Sequence, residues 1–321
     1  PPPADRAIYM VDSLGGREFI YEDPEVASFS PIAIRKRERP PVLPSMIMDP
    51  EAQNGTVFVQ NVYLTRNDPE NLIEPGSIKA IRINELGVQP RARRTPLSLT
   101  VPVELPKRVL GTVPVNESGS AYFRAPSGVA LQMQILDENG MAVLTEKSFF
   151  YLQPGENRSC IGCHEPAGSA PDPTAMLGRG PISPVDLTPA AGPKYPGGMS
   201  FVRTVQPVLD RYCISCHGLD RTDGNVDLTD DGDVFPRSLR AIIDRGDHLV
   251  GLKSYMSGGS GEPRNISRPF EYYAHGNSVA HLLVDKHGDV DLDMDRESFM
   301  RIIEWLDTNA QATGDLFPNK V

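Results

Sequence analysis

Hydrophobic and polar positions alternate with a period of two through most of the first half of the chain. Ala7-Ile8-Tyr9-Met10-Val11 and Glu18-Phe19-Ile20-Tyr21 flank the Gly-rich turn Ser13-Leu14-Gly15-Gly16, which predicts a hairpin over 7–21. Prolines bar regular structure in the stretch around Arg35-Lys36-Arg37-Glu38-Arg39-Pro40-Pro41. From residue 55 to 158 the pattern is that of strands. The clearest is Val129 to Ile135, with Val129, Leu131, Met133 and Ile135 on one face and Gln132 and Gln134 on the other. Further strand candidates are Val57–Val62, Ser77–Ile83, Val109–Val115, Ala121–Arg124 and the return Met141–Tyr151, which follows the turn Asp137-Glu138-Asn139-Gly140. No helical period interrupts them, so a β-sandwich or small barrel is expected.

Residues 165–199 hold eight prolines and six glycines in 35 positions, which predicts a wrapping loop. The period then changes. Phe201, Val205, Val208, Leu209 and Tyr212 share a helical face that runs into Cys213, with Pro207 in a first turn. Ser238 is expected to cap a short helix with Leu239, Ile242 and Ile243 inside. Asp293 is expected to cap a helix running to Asn309, with Phe299, Ile302, Ile303 and Leu306 at i, i+3, i+4 and i+7. The expected fold class is therefore α+β and multidomain, a β-rich domain followed by a mostly α-helical one.

At 321 residues the chain is long enough for two or more units. No run approaches the ~20 apolar residues of a membrane span. No signal peptide is visible, and the opening Pro-Pro-Pro-Ala-Asp reads as a mature, cleaved or truncated form. The net charge of −10 argues against a nucleic-acid partner. It is unevenly spread: residues 1–159 carry 17 basic and 19 acidic residues, residues 160–321 carry 15 and 23. The acidic half predicts either solubility alone or steering of a basic partner. Asp220–Asp233 contains seven Asp or Asn but lacks the EF-hand spacing, and is read as an acidic turn.

All four cysteines fall in two copies of one motif, Cys160-Ile161-Gly162-Cys163-His164 and Cys213-Ile214-Ser215-Cys216-His217. Cys-x-x-Cys-His is the attachment sequence of a c-type haem. Two thiols add to the two vinyl groups of a porphyrin edge, and the following His sits under the iron. A single Cys₄ zinc knuckle would bring its pairs within ~15–20 residues, whereas 49 residues separate Cys163 from Cys213. Neither zinc nor disulfides would need the two histidines. Two covalently bound c-type haems are therefore expected, attached at Cys160, Cys163, Cys213 and Cys216, with His164 and His217 on the irons. Haem attachment of this kind is extracytoplasmic, so a periplasmic or equivalent location is expected. Short helices around the second motif read as a mono-haem, cytochrome c-like unit.

Several segments resemble the middle and C-terminal domains of the hydrazine synthase alpha subunit family. They are Gly111-Thr112-Val113-Pro114-Val115, Gly119-Ser120-Ala121-Tyr122-Phe123, Gln134 to Gly140 and Tyr151 to Glu156, running into the first motif. Later ones are Ser200 to Arg203, Val205 to Asp210, Asp227-Leu228-Thr229 and Trp305 to Ala310. The resemblance implies a hairpin at 1–29 that ends a preceding β-propeller, a β-rich middle domain at 30–158, the first haem motif with its loop at 159–199, and a cytochrome c-like domain at 200–321. It also implies further subunits. In that family a Tyr four residues after the first motif His binds iron, and the His turns to a zinc also held by a distant Cys. Here that position is Gly168 and no further Cys exists, so neither feature carries over and His164 is expected on its iron.

Family landmarks, a Ser, apolar residues and then a His ahead of the Trp-bearing helix, imply His287 as the distal ligand opposite His217, with His281 and His275 as runners-up. For the first haem, Met176, Met199, Tyr151, His248, His275 or an open position all stay in play. Two functions follow. One is extracytoplasmic electron transfer with a redox partner protein, basic if the acidic half steers it. The other is a haem-dependent oxidoreductase, hydrazine synthase-like or peroxidase-like, with an open first haem fed by a bis-His second haem.

Overall fold

The computed structural model describes residues 7–24, 27–42, 47, 49–87, 107–146, 148–163, 168, 170, 183–190, 192, 198–233, 235–243, 268–285, 287 and 290–312. The chain divides into two compact units, Pro1–Ser45 and Met46–Val321.

In the first unit, β1 (Ile8–Val11) and β2 (Arg17–Tyr21) form the expected antiparallel hairpin. Asp12 Oδ1 accepts from the backbone N–H groups of Leu14 and Gly16, both at 2.8 Å, which closes the turn. The basic run Arg35–Arg39 is exposed and has no regular structure.

The second unit begins with two sheets. One has the order β6-β3-β9, from β3 (Asn54–Val59), β6 (Ala121–Pro126) and β9 (Asn157–Cys160). The other has the order β5-β4-β7-β8, from β4 (Ala80–Leu86), β5 (Lys107–Pro114), β7 (Leu131–Leu136) and β8 (Ala142–Thr145). Val57, Val59 and Phe123 of the first sheet and Ile81, Ile83, Leu131 and Ile135 of the second share one hydrophobic core, so the sheets face each other as a sandwich. All pairings are antiparallel except β9 on β3. Strand β9 is a polar segment with no alternating signature. Residues 183–190, within the expected loop, pair through Thr188 with Thr112 and through Val185 with Phe123. Gly111 makes this crossing possible, because a Cβ there would lie 2.4 Å from the Thr188 carbonyl oxygen.

The helical part contains α1 (Phe201–Thr204), α2 (Gln206–Tyr212), α3 (Arg237–Ile243), α4 (Ser278–Asp285) and α5 (Arg296–Asp307). Pro207 sits in the first turn of α2 as expected. Two caps differ from expectation. The α5 cap is Asp295, whose side chain accepts from Ser298 N at 2.8 Å. Asp293 lies outside the helix at φ +41°. Ser298 N–H and Oγ–H and the Tyr212 hydroxyl all donate to Asp295, and the Ser298 N–H leads in holding this carboxyl down at about 2. Ser238 lies inside α3, where its hydroxyl donates to Gln206 Oε1 rather than capping. Helix α4, absent from the expected elements, has Asn277 Oδ1 accepting from Val279 N at 2.8 Å.

The β4–β7 face opposite the sandwich core is buried against this helical layer. Gln132 and Gln134 are buried although polar. Gln134 Nε2 donates to the Asp307 carbonyl at 3.0 Å, and Arg82 Nη1 lies 2.6 Å from Asp307 Oδ2, both side chains fully buried. Asp307 also accepts from the N–H groups of Ala142 and Ala274. The polar strand face is thus an internal seam between the sandwich and the helical layer. Residues 225 apart in sequence make its ion pair.

Candidate haem-motif site

The second motif starts where α2 ends. Cys213 N–H donates to Leu209 O at 2.8 Å, then Cys216 and His217 N–H donate to Cys213 O at 3.1 and 2.9 Å. This continued turn puts Cys213 and His217 four residues apart on one side. Leu228 N–H donates to His217 O at 2.7 Å and ties the motif to the following strap. Opposite stands His287, after α4. The two Nε2 atoms face each other at 3.5 Å, with ring centroids 5.7 Å apart. That is longer than an ordinary hydrogen bond. Two metal–imidazole bonds of about 2 Å each would need about 4 Å, so a metal ion fits between them with a small outward shift of either ring.

Cys213, Cys216, His217 and His287 line one cavity of about 600 Å³. Its walls are largely apolar and include Leu209, Val226, Leu228, Ile242, Leu283 and Ile302. Burial, with Cys216 beside it, pushes the Cys213 thiol up to about 11. No disulfide joins any of the four cysteines. Among the described residues no three His, Cys, Asp or Glu converge as a site for a bare metal ion. The residues present at the second motif therefore fit a flat, apolar metallocycle gripped by two thiols and two imidazoles.

The first motif hangs on the sandwich. Cys160 ends β9 opposite Val59, and its carbonyl accepts from Gln60 N at 2.9 Å. Cys163 N–H donates to Leu64 O at 3.0 Å. Gly162 permits this closure, because a Cβ there would lie 2.1 Å from Leu64 O. Cys163 is buried in the sandwich core and Cys160 packs against it. His164 lies outside the described residues, as do His248 and Met176. Gly168 is described, with φ +88°.

The other expected ligand candidates go elsewhere. His275 Nε2 lies 3.0 Å from Asp137 Oδ2, and its ring meets Phe270 edge-on. Burial would raise the Asp137 carboxyl, but His275 and the N–H groups of Met141 and Asn139 hold it below its usual value. His281 is exposed, with Nε2 2.7 Å from the His275 carbonyl oxygen. Met199 packs into the helical core, with Thr308 Oγ1 3.9 Å from its sulfur. Tyr151 is half exposed and packs edge-on with Phe149. Helix α4, which sequence reasoning missed, supplies Val279, Leu282 and Leu283 to the cavity. Asn277 ahead of that apolar set was a legible cap signal.

A β-sandwich joined to a helical layer that carries a paired-thiol, paired-imidazole cavity defines the class. Residues 76–165 match the family described as the hydrazine synthase alpha subunit middle domain. A 56-residue stretch is 41% identical to hydrazine synthase subunit alpha of Kuenenia stuttgartiensis, covering 17% of this chain and 7% of that protein. The solved Kuenenia stuttgartiensis hydrazine synthase shares the fold, with TM-score 0.57 and 18% identity over 82% of this chain and 44% of that one. The chain thus spans less than half the length of the solved chain it matches. Over these stretches the chain is similar to hydrazine synthase alpha.

Proposed function

We propose that this chain is an extracytoplasmic di-haem redox protein. In this reading Cys213, Cys216, His217 and His287 hold one c-type haem in a cytochrome c-like unit, and Cys160, Cys163 and His164 hold another. The observation that carries it is the facing of His217 and His287 Nε2 across the cavity that also exposes both motif thiols. Cys213 and Cys216 would hold the group covalently through thioether bonds to its vinyl groups, an addition in which nothing would leave or be oxidised. The haem, when bound, supplies a one-electron iron couple. His217 and His287 would both ligate the iron, which would leave the site to exchange electrons rather than bind substrate, and two imidazoles would favour a lower potential than His with Met. The apolar walls keep water from the iron and lower the local dielectric. Covalent haem implies the periplasm or an equivalent compartment. The subunit name of its relative points to assembly with further chains.

Intact-mass measurement after denaturation should give two haems per chain. His287→Ala should turn one haem high-spin and leave the other unchanged. A fully low-spin variant spectrum would exclude His287 as a ligand.

A second reading, an oxidoreductase subunit with an open first haem, is favoured by the family match, which ends at residue 165, just after the first motif. Gly168 supplies no side chain where the family carries its iron-binding Tyr, and this tilts the balance towards electron transfer.

A further inference from the structure

His287 stands on the border of two concavities. The cavity facing His217 is about 600 Å³, and a groove of about 640 Å³ lies on the other side. Leu282, Leu283, His287, Val290, Asp291 and Leu292 border both. At this border large apolar side chains are exposed: Leu282 at 40%, Val284 at 38% and Val290 at 48%. Asp291 and Asp293 line the same groove beside them. The segment Asp285 to Asp293 holds four aspartates and one lysine. Among the described residues the exposed Asp291 and Asp293 make no ion pair, and the 74%-exposed Asp285 pairs only with His281 Nδ1, at 4.0 Å. The neighbouring cations are already engaged. Arg211 lies 3.4 Å from Asp295, Arg221 lies 2.6 Å from Asp223, and Arg296 donates to the Asn139 carbonyl at 2.9 Å. Lys286 lies outside the described residues.

An apolar centre with a like-charged rim is the form of a transient, steered contact. Rim charges set the encounter rate and the apolar centre permits close approach. Excess negative charge repels nucleic acid and anionic lipid, and a bare divalent cation finds no convergent ligand set among the described residues. We propose that this face, at the His287 wall, is the docking surface for a cationic redox protein that presents lysines around an apolar contact of its own. The proposal rests on the electron-transfer reading above, and adds the route by which electrons reach the second haem.

The test uses the haem-loaded full chain and a reduced basic mono-haem cytochrome c as donor, followed by stopped flow over a range of salt. The bimolecular rate constant should fall about tenfold or more between low and high salt. An Asp285→Asn/Asp293→Asn variant should be about 3–10-fold slower at low salt, with a flatter salt dependence. Asn tolerates the left-handed backbone of residue 293 as Asp does. Equal rates and slopes for parent and variant would overturn the proposal, as would an acidic cytochrome that donates equally fast at low salt. Dithionite separates the two levels. Haem that dithionite reduces, with no charge dependence towards the basic donor, sinks the docking face and leaves the electron-transfer reading intact. A chain without reducible haem sinks both.

Discussion

Glu304 is buried in the seam with one cation, Arg82, and a second carboxylate, Asp307. Burial pushes its carboxyl from the ordinary 4.5 up to about 7; Arg82 opposes the rise and Asp307 adds to it. A folded-state value above the unfolded one means that the native protein binds the proton more tightly. The resulting stability is fully present below about pH 4.5 and is lost as pH rises to about 7, by up to roughly 3 kcal/mol. Glu304→Gln should remove this slope. Denaturant unfolding of parent and variant at pH 5 and pH 8 checks it; an identical pH response would show that Glu304 is not the titrating group. Nothing local in the sequence marks this residue, which lies between the apolar positions of an amphipathic helix. The haem motifs were legible because their chemistry demands fixed local spacing. His287 needed landmarks outside the motif, since a lone His carries no spacing of its own. The α5 cap was misplaced by two residues because Asp293 and Asp295 are equally good cap types, and only the chain's turn at Asp293 decides between them.

At the scale of elements, period-two alternation located β3 to β8 but not what covers each face. In β7, Gln132 and Gln134 marked a polar face, and that face proves to be an internal seam. A long-range pair fixes it. Removing the charge of Asp307 leaves Arg82 buried without its partner, at a cost of about 3–5 kcal/mol. Asp307→Asn should therefore destabilise by that order at pH 5, where Glu304 is protonated. At pH 8 the loss should be smaller, because Glu304 can ionise and take over the neutralisation of Arg82. Thermal unfolding at the two pH values tests it, and a loss that is the same or larger at pH 8 would rule out the exchange of partners. Strand β9 and helix α4 escaped the sequence for opposite reasons. β9 is a short polar edge held by parallel backbone bonds to β3, and α4 is eight residues whose apolar positions serve the cavity.

For the whole molecule, the two motifs occupy unlike surroundings. Cys160 and Cys163 are fixed by a strand and buried against a β core, whereas Cys213 and Cys216 end a helix beside an apolar cavity with a second imidazole across it. This asymmetry predicts unlike irons. If the second motif holds haem as proposed, His217 and His287 would both ligate its iron, and that haem should refuse exogenous ligands until His287 is removed. His164 of the first motif lies outside the described residues, and Gly168 carries no side chain that could ligate an iron there. Carbon monoxide added to the reduced protein and cyanide to the oxidised protein decide what the first iron does. Binding at one haem in the parent, and at two in His287→Ala, would make the first haem open and give the oxidoreductase reading its reactive site. Absence of binding in the parent, with one new site in His287→Ala, would make both haems six-coordinate and the chain a pure electron relay. The relay is the outcome the proposed reading expects, because the facing imidazoles of His217 and His287 would leave no open position on an iron held between them, and Gly168 offers no side-chain ligand near the first motif.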